Sequence, residues 1–127
     1  MAAGRLAHRL VHALAALMGG AGVALAAAAA HVTGGGNLET AAYFLLFHAA
    51  AVIALAAAPG RAALIAAAQW MLLAGALVFS GTLALGALLD IHLAPSPAPW
   101  GGTLMILGWL VAAAGLFAPG EPSARSR

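Results

Sequence analysis

The sequence predicts an all-α integral membrane protein, a four-transmembrane-helix bundle with both termini inside (N-in/C-in). Three observations carry that expectation: the composition, the spacing of helix breakers, and the side on which the arginines fall. Of the 127 residues, 65% are hydrophobic and only 6% charged, against roughly 25% charged in ordinary soluble domains. A water-soluble fold of this size cannot cover its surface with so few charges. Soluble enzymes and disordered tails are excluded on that ground. Five basic and three acidic residues leave a net charge of +2, with no basic run able to grip a nucleic acid. The absence of cysteine removes disulfides, thiolate metal sites and cysteine nucleophiles.

Charges cut the chain into four long uncharged stretches, Leu10 to Leu38, Thr40 to Gly60, Ala62 to Leu89 and Ile91 to Gly120. Each can hold the roughly 20 helical residues that cross a ~30 Å hydrocarbon layer. The spans are expected at about 10–30, 38–58, 66–89 and 101–117. Between them stand Gly34-Gly35-Gly36-Asn37, Pro59-Gly60 and Pro95-Ser96-Pro97-Ala98-Pro99, with Pro119-Gly120 after the last. Backbone groups in lipid must bond within their own segment, so these spans read as helices. Four short runs without alternation do not make a barrel. One domain is expected over 1–120, with a short cytoplasmic tail at 121–127.

The arginines orient the bundle. Arg5 and Arg9 precede span one, Arg61 separates spans two and three, and Arg125 and Arg127 follow span four. In a four-span chain all five fall on one side, which the positive-inside bias makes cytoplasmic. Trp70 near that side, and Tyr43 and Trp100 near the other, suit aromatic belts. Arg5, Arg9, an apolar run and Ala26 to Ala30 also describe a cleavable signal peptide. The run is about 20 residues, longer than the ~7–15 of a signal core, and an uncleaved anchor is expected.

Small residues are expected to hold the helices together, because lipid removes the hydrophobic drive between them. Gly101, Gly108 and Gly115 form a stripe down span four, and Ala68, Gly75, Thr82 and Gly86 share a face of span three. Gly19, Gly20 and Gly22 thin the middle of span one. These faces serve close packing inside the chain or between copies of it.

Few polar side chains remain inside. His48 falls at the midpoint of span two, where a charged imidazole is costly. It serves either as a neutral ring bonded to a neighbouring helix or as a site of proton, ligand or metal chemistry. Ser80 and the indole N–H of Trp109 lie at similar depth, so His48, Ser80 and Trp109 form the candidate intramembrane polar cluster. At the outer end, His31 and Glu39 are the polar candidates, and His92 is a further ligand type on that side for a metal. His31 stands some 15 Å above His48 by helix rise, which does not suit a haem clamped between them. Asn37 is expected to cap span two, with the Glu39 carboxylate facing the positive end of the helix dipole. His8 and His12, beside Arg5 and Arg9, are expected at anionic headgroups. Gln69 and Ser80 share a face of span three and suit interhelical hydrogen bonds. No catalytic residue, cofactor site or metal site is expected: no nucleophile elbow, phosphate loop or carboxylate pair occurs.

Several blocks carry a family resemblance. They are Leu38-Glu39-Thr40-Ala41 followed by Phe47-His48-Ala49, Trp70 to Gly75 running to Phe79-Ser80-Gly81-Thr82-Leu83, and Pro99-Trp100-Gly101-Gly102 leading to Gly108-Trp109-Leu110. Together, over about 10–117, they resemble the domain-of-unknown-function family 423, whose animal relatives are the transmembrane protein 256 proteins. Ala30-His31 corresponds to the Ala-His that closes the family's first helix. The resemblance implies a small multi-pass membrane protein with no established biochemical activity. Where the family usually carries Arg, Gln and Tyr near the histidine of helix two, this chain has Tyr43, Leu45 and Phe47, which removes polar side chains from around His48.

The functional expectation is a non-enzymatic accessory, assembly or oligomerising subunit of the bacterial inner membrane. Its partners would be the lipid bilayer and a second copy or a larger membrane complex. The first alternative is a small transporter or proton-coupled carrier using His48. The second is a haem- or quinone-binding membrane subunit.

Overall fold

The computed structural model describes residues 2–120. Its elements are α1 (Ala2–Ala28), a π-helical turn (Ala29–Thr33), α2 (Asn37–Leu55), α3 (Ala62–Leu89) and α4 (Ala98–Phe117). No strand occurs among the described residues. All four helices are long and apolar enough to cross a membrane, at 32 (with the π-turn), 19, 28 and 20 residues. The tail at 121–127, with Arg125 and Arg127, lies outside the described residues.

Each boundary has a local cause. α1 starts well before the expected 10 because Ala2, Ala3, Leu6 and Ala7 favour helix. Arg5 and Arg9 are exposed, so the helix runs on without burying a charge. At its far end, Gly34, Gly35 and Gly36 have φ of 72, 102 and 72°, a region glycine enters without steric penalty. The Gly34 and Gly35 amides both donate to the Ala29 carbonyl, closing the wide turn. Asn37 does not cap α2. It is the first helical residue, Gly36 holds the cap position, and no side chain bonds there.

α2 stops at Leu55 instead of 58. The amides of Ala56, Ala57 and Ala58 turn back to the carbonyls of Ile53, Ala54 and Leu55 at 3.1, 3.2 and 3.2 Å. This is the tighter 3₁₀ pattern, and it comes just before Pro59, which disfavours helix at residue 58. α3 begins at Ala62, before the expected 66, with the Arg61 amide tied to the Gly115 carbonyl at 2.9 Å. α4 takes in Ala98 and Pro99, since a proline in the first turn gives up an amide that has no helical partner.

Successive helices pack side by side, most extensively α3 with α4, then α1 with α2 and α2 with α3. α1 touches α3 more lightly, and α4 makes no extensive contact with α1 or α2. The α3–α4 seam is built from missing side chains. Gly101, Gly108 and Gly115 are buried against α3, where a Cβ at Gly108 would lie 3.0 Å from Leu72 and one at Gly115 3.0 Å from Leu64. Gly22 plays the same part between α1 and α2, with Leu46 2.8 Å from the place of its Cβ. Gly20 and Gly81 have open space there. Around these seams Met18, Leu45, Val52, Leu72 and Met105 form the core. The outside stays apolar: Phe117 is 94% exposed, Trp100 77% and Phe47 68%.

Candidate functional site

α2 buries Leu45, His48, Ala49 and Val52 on one face, so helical period alone turns His48 inward. The ring is only 7% exposed. Its Nδ1 lies 2.8 Å from the Phe44 carbonyl, and the Trp109 indole N–H donates to its Nε2 across 3.3 Å. A carbonyl can only accept and an indole N–H can only donate. The contacts therefore select one species, a neutral imidazole with its proton on Nδ1. A second proton on Nε2 would face the indole N–H, donor against donor. Aromatic rings enclose the site. Phe44 stacks on the imidazole at 5.7 Å and 12°, Trp109 meets it edge-on at 6.0 Å, and Phe79 lies 4.7 Å from Phe44.

Of the three residues expected at this level, the structure joins two. Ser80 is fully buried, and its Oγ has no hydrogen-bond partner among the described residues. Ser80 is not level with that pair: its neighbour Phe79 packs on Gly101, whereas Gly108, next to Trp109, lies against Leu72, about two turns of α3 away. On the Ser80 side α2 meets α3 through Phe44 and Phe79.

A second polar group, at the other end of α2, makes the interhelical hydrogen bonds expected of Gln69, with partners the sequence did not name. Gln69 on α3 is 2% exposed and donates through Nε2 to the Val52 carbonyl at 2.7 Å and to His12 Nε2 at 2.9 Å. The geometry of α2 explains the first bond. When the Ala56 amide switches to Ile53, the Val52 carbonyl is passed over and needs a donor from elsewhere. The second bond corrects the expectation for His12: its ring turns inward to Gln69, while His8 stays exposed beside it, ring centroids 4.3 Å apart. A signal was present, because position 12 directly follows the buried Val11 and precedes Ala15 on the same face.

The outer-end candidates stay apart. His31 lies exposed on the π-turn. Glu39, in the first turn of α2, accepts from the Tyr43 hydroxyl at 3.1 Å. That pair borders a cavity of about 340 Å³ lined also by Ala26, Ala29, Ala30, Gly34 and Gly35. His92 stays with Asp90, its Nδ1 3.2 Å from the Asp90 carbonyl. No three His, Asp or Glu side chains are grouped to hold a metal ion among the described residues, so His31, Glu39 and His92 make no such site.

Helices of this length and apolarity, tied inside by bonds between helices, define an all-α protein of the kind consistent with multi-pass membrane proteins. A family model described as "Protein of unknown function (DUF423)" matches residues 25–102, more than half of the chain. The chain belongs to that family. No curated protein and no solved structure matches it. The match is narrower than the 10–117 over which the motifs run. It takes in His31, Glu39, His48, Gln69 and Ser80, and leaves His12 and Trp109 outside.

Proposed function

We propose that this chain is a multi-pass protein of the bacterial inner membrane, with both termini cytoplasmic, acting through contacts with other proteins as a non-enzymatic accessory, assembly or oligomerising subunit. The observation that carries this reading is the wiring of His48. The most deeply placed titratable ring has one nitrogen on Phe44 and the other on Trp109, so it serves as a tie between α2 and α4. A relay or a ligand site needs a free nitrogen.

Membrane insertion is supported by the outward Phe47, Trp100 and Phe117, an apolar surface that water would penalise and lipid does not. Orientation is supported by charge. Arg5, Arg9 and Arg61 share one end of the helices, and the outer loops hold Glu39 and Asp90 with no Lys or Arg. That asymmetry suits the positive-inside bias.

Purification from native membranes in mild detergent, followed by mass measurement of the intact particle, tests the role. A homo-oligomer or a reproducible complex is the expected result, and a bare monomer that is never found with a partner would refute it. Reporter fusions at Pro59-Gly60 and after residue 127 test the topology: both should report the cytoplasm.

A further inference from the structure

The cationic end of the molecule has a defined geometry. The bond between His12 and Gln69 puts these residues of α1 and α3 at one level. A crevice of about 130 Å³ that His8 shares with Ile65 and Ala66 keeps the same register. Arg5 stands seven residues before His12, and Arg61 eight before Gln69. At ~1.5 Å rise per residue, both lie about 10–12 Å below that pair, with Arg9 between. All three arginines are exposed, and none makes an ion pair among the described residues. The first turns of α1 and α3 carry no acidic residue. The described carboxylates, Glu39 and Asp90, lie at the opposite end.

The charge does not stand alone. Arg5 and Arg9 are four residues apart and share a side of α1. Next to them Leu6, Leu10 and Leu14 repeat the same spacing, all exposed. A groove lined by Ala2, Arg5, Leu6 and Arg9 joins the two stripes. An acidic peptide would match the arginines and leave the leucines uncovered. An inorganic anion would do the same. A molecule with a phosphate at one end and a hydrocarbon chain at the other matches both.

We propose that this face of α1 binds an anionic glycerophospholipid. Its phosphodiester sits on Arg5 and Arg9, whose guanidinium forks suit phosphate oxygens, and an acyl chain runs along Leu6, Leu10 and Leu14. Arg61 adds to the local potential. The inference rests on the membrane-embedded reading above and adds a specific lipid class to it.

The test uses the full chain in detergent, titrated with dioleoyl phosphatidylglycerol or dioleoyl phosphatidylcholine and read by native mass spectrometry. The tail is unchanged in every variant. Phosphatidylglycerol adducts should dominate for the natural chain. Arg5→Gln with Arg9→Gln should weaken them by about fivefold per arginine, roughly 30-fold for the pair, with phosphatidylcholine binding unchanged. Arg5→Lys with Arg9→Lys should keep most of the preference. Equal binding of the two lipids, or a glutamine pair that binds like the natural chain, overturns the inference. Displacement by millimolar inorganic phosphate also overturns it and assigns a phosphate site instead. Alkaline carbonate extraction from liposomes separates the two readings. Extracted protein sinks the membrane reading, whereas protein that stays embedded without lipid preference sinks the lipid site alone.

Discussion

Gly75 on α3 and Gly101 on α4 approach so closely that a Cβ on either would lie 2.8 Å from the other's carbonyl oxygen. The relationship is reciprocal and involves backbone on both sides, so neither helix can yield by rotating a side chain. It fixes the separation of α3 and α4 near the Trp100 end, and Gly108 and Gly115 continue the seam toward the other.

Gly75→Ala and Gly101→Ala should each lower stability by about 1–3 kcal/mol, the usual range for overfilling a packed site. Gly101→Ala should be the worse, since its Cβ would also meet the Phe79 amide nitrogen at 2.6 Å. Gly20→Ala and Gly81→Ala, with open space around them, should be neutral or slightly stabilising. Thermal unfolding in one detergent ranks the four. Equal losses at all four positions would contradict the seam.

The tie between Trp109 and His48 should have a small, measurable coupling. A double-mutant cycle with Trp109→Phe and His48→Ala should give about 0.6 kcal/mol and no more than roughly 1.7, the range for hydrogen bonds between membrane helices. His48→Gln, which keeps a polar side chain at the position, should be milder than His48→Ala. Coupling near zero would mean that the indole and imidazole do not hold α4 to α2.

Ser80 gives the opposite sign. Its buried hydroxyl has no partner among the described residues, and such a group costs on the order of 1–3 kcal/mol by mutational measures. Ser80→Ala should therefore leave the melting temperature unchanged or raise it. A clear loss of stability would show that the hydroxyl is bonded in the membrane.

Gln69→Leu should be among the more damaging conservative-volume changes, about 1–3 kcal/mol, because it strands the Val52 carbonyl. His12→Ala should cost less, since Gln69 keeps its bond to Val52 and His12 is only half-buried. Chemical denaturation of both variants in mixed micelles checks the order, and a reversal would place the weight of the network on the imidazole.

Much of this architecture was legible in the sequence because a few residues carry it. Glycines spaced by seven at 101, 108 and 115 marked the face that meets α3, and the breakers at Gly34, Pro59 and Pro97 fell where the helices end or begin. Depth was readable as well: counting along spans put His48 and Trp109 at one height. The offset of α3 was not. Ser80 lies toward the Trp100 end, beside the Phe79 that packs on Gly101 and Phe44, while Gly108, next to Trp109, meets Leu72. His12 was read from its charged neighbours, yet the helical period of Val11 and Ala15 decides where its ring goes. Asn37 resembled a cap, but three left-handed glycines deliver the chain in a way that makes it the first helical residue.

The skipped carbonyl at Val52 bears on how the length of α2 is set. Nothing between Ala54 and Ala58 differs enough in propensity to choose a stopping point. Pro59 sets the outer limit, and short of it the stop is favoured by the Gln69 amide, seventeen positions beyond Val52, which takes the oxygen that Ala56 would otherwise claim. With that amide gone, the simplest repair is for Ala56 to bond back to Val52 and wind another turn. The Pro59-Gly60 elbow and the Arg61 anchor on Gly115 would then be dragged along. A side chain on α3 thus works as a gauge stop for α2, and a change at 69 should register as a displaced hairpin.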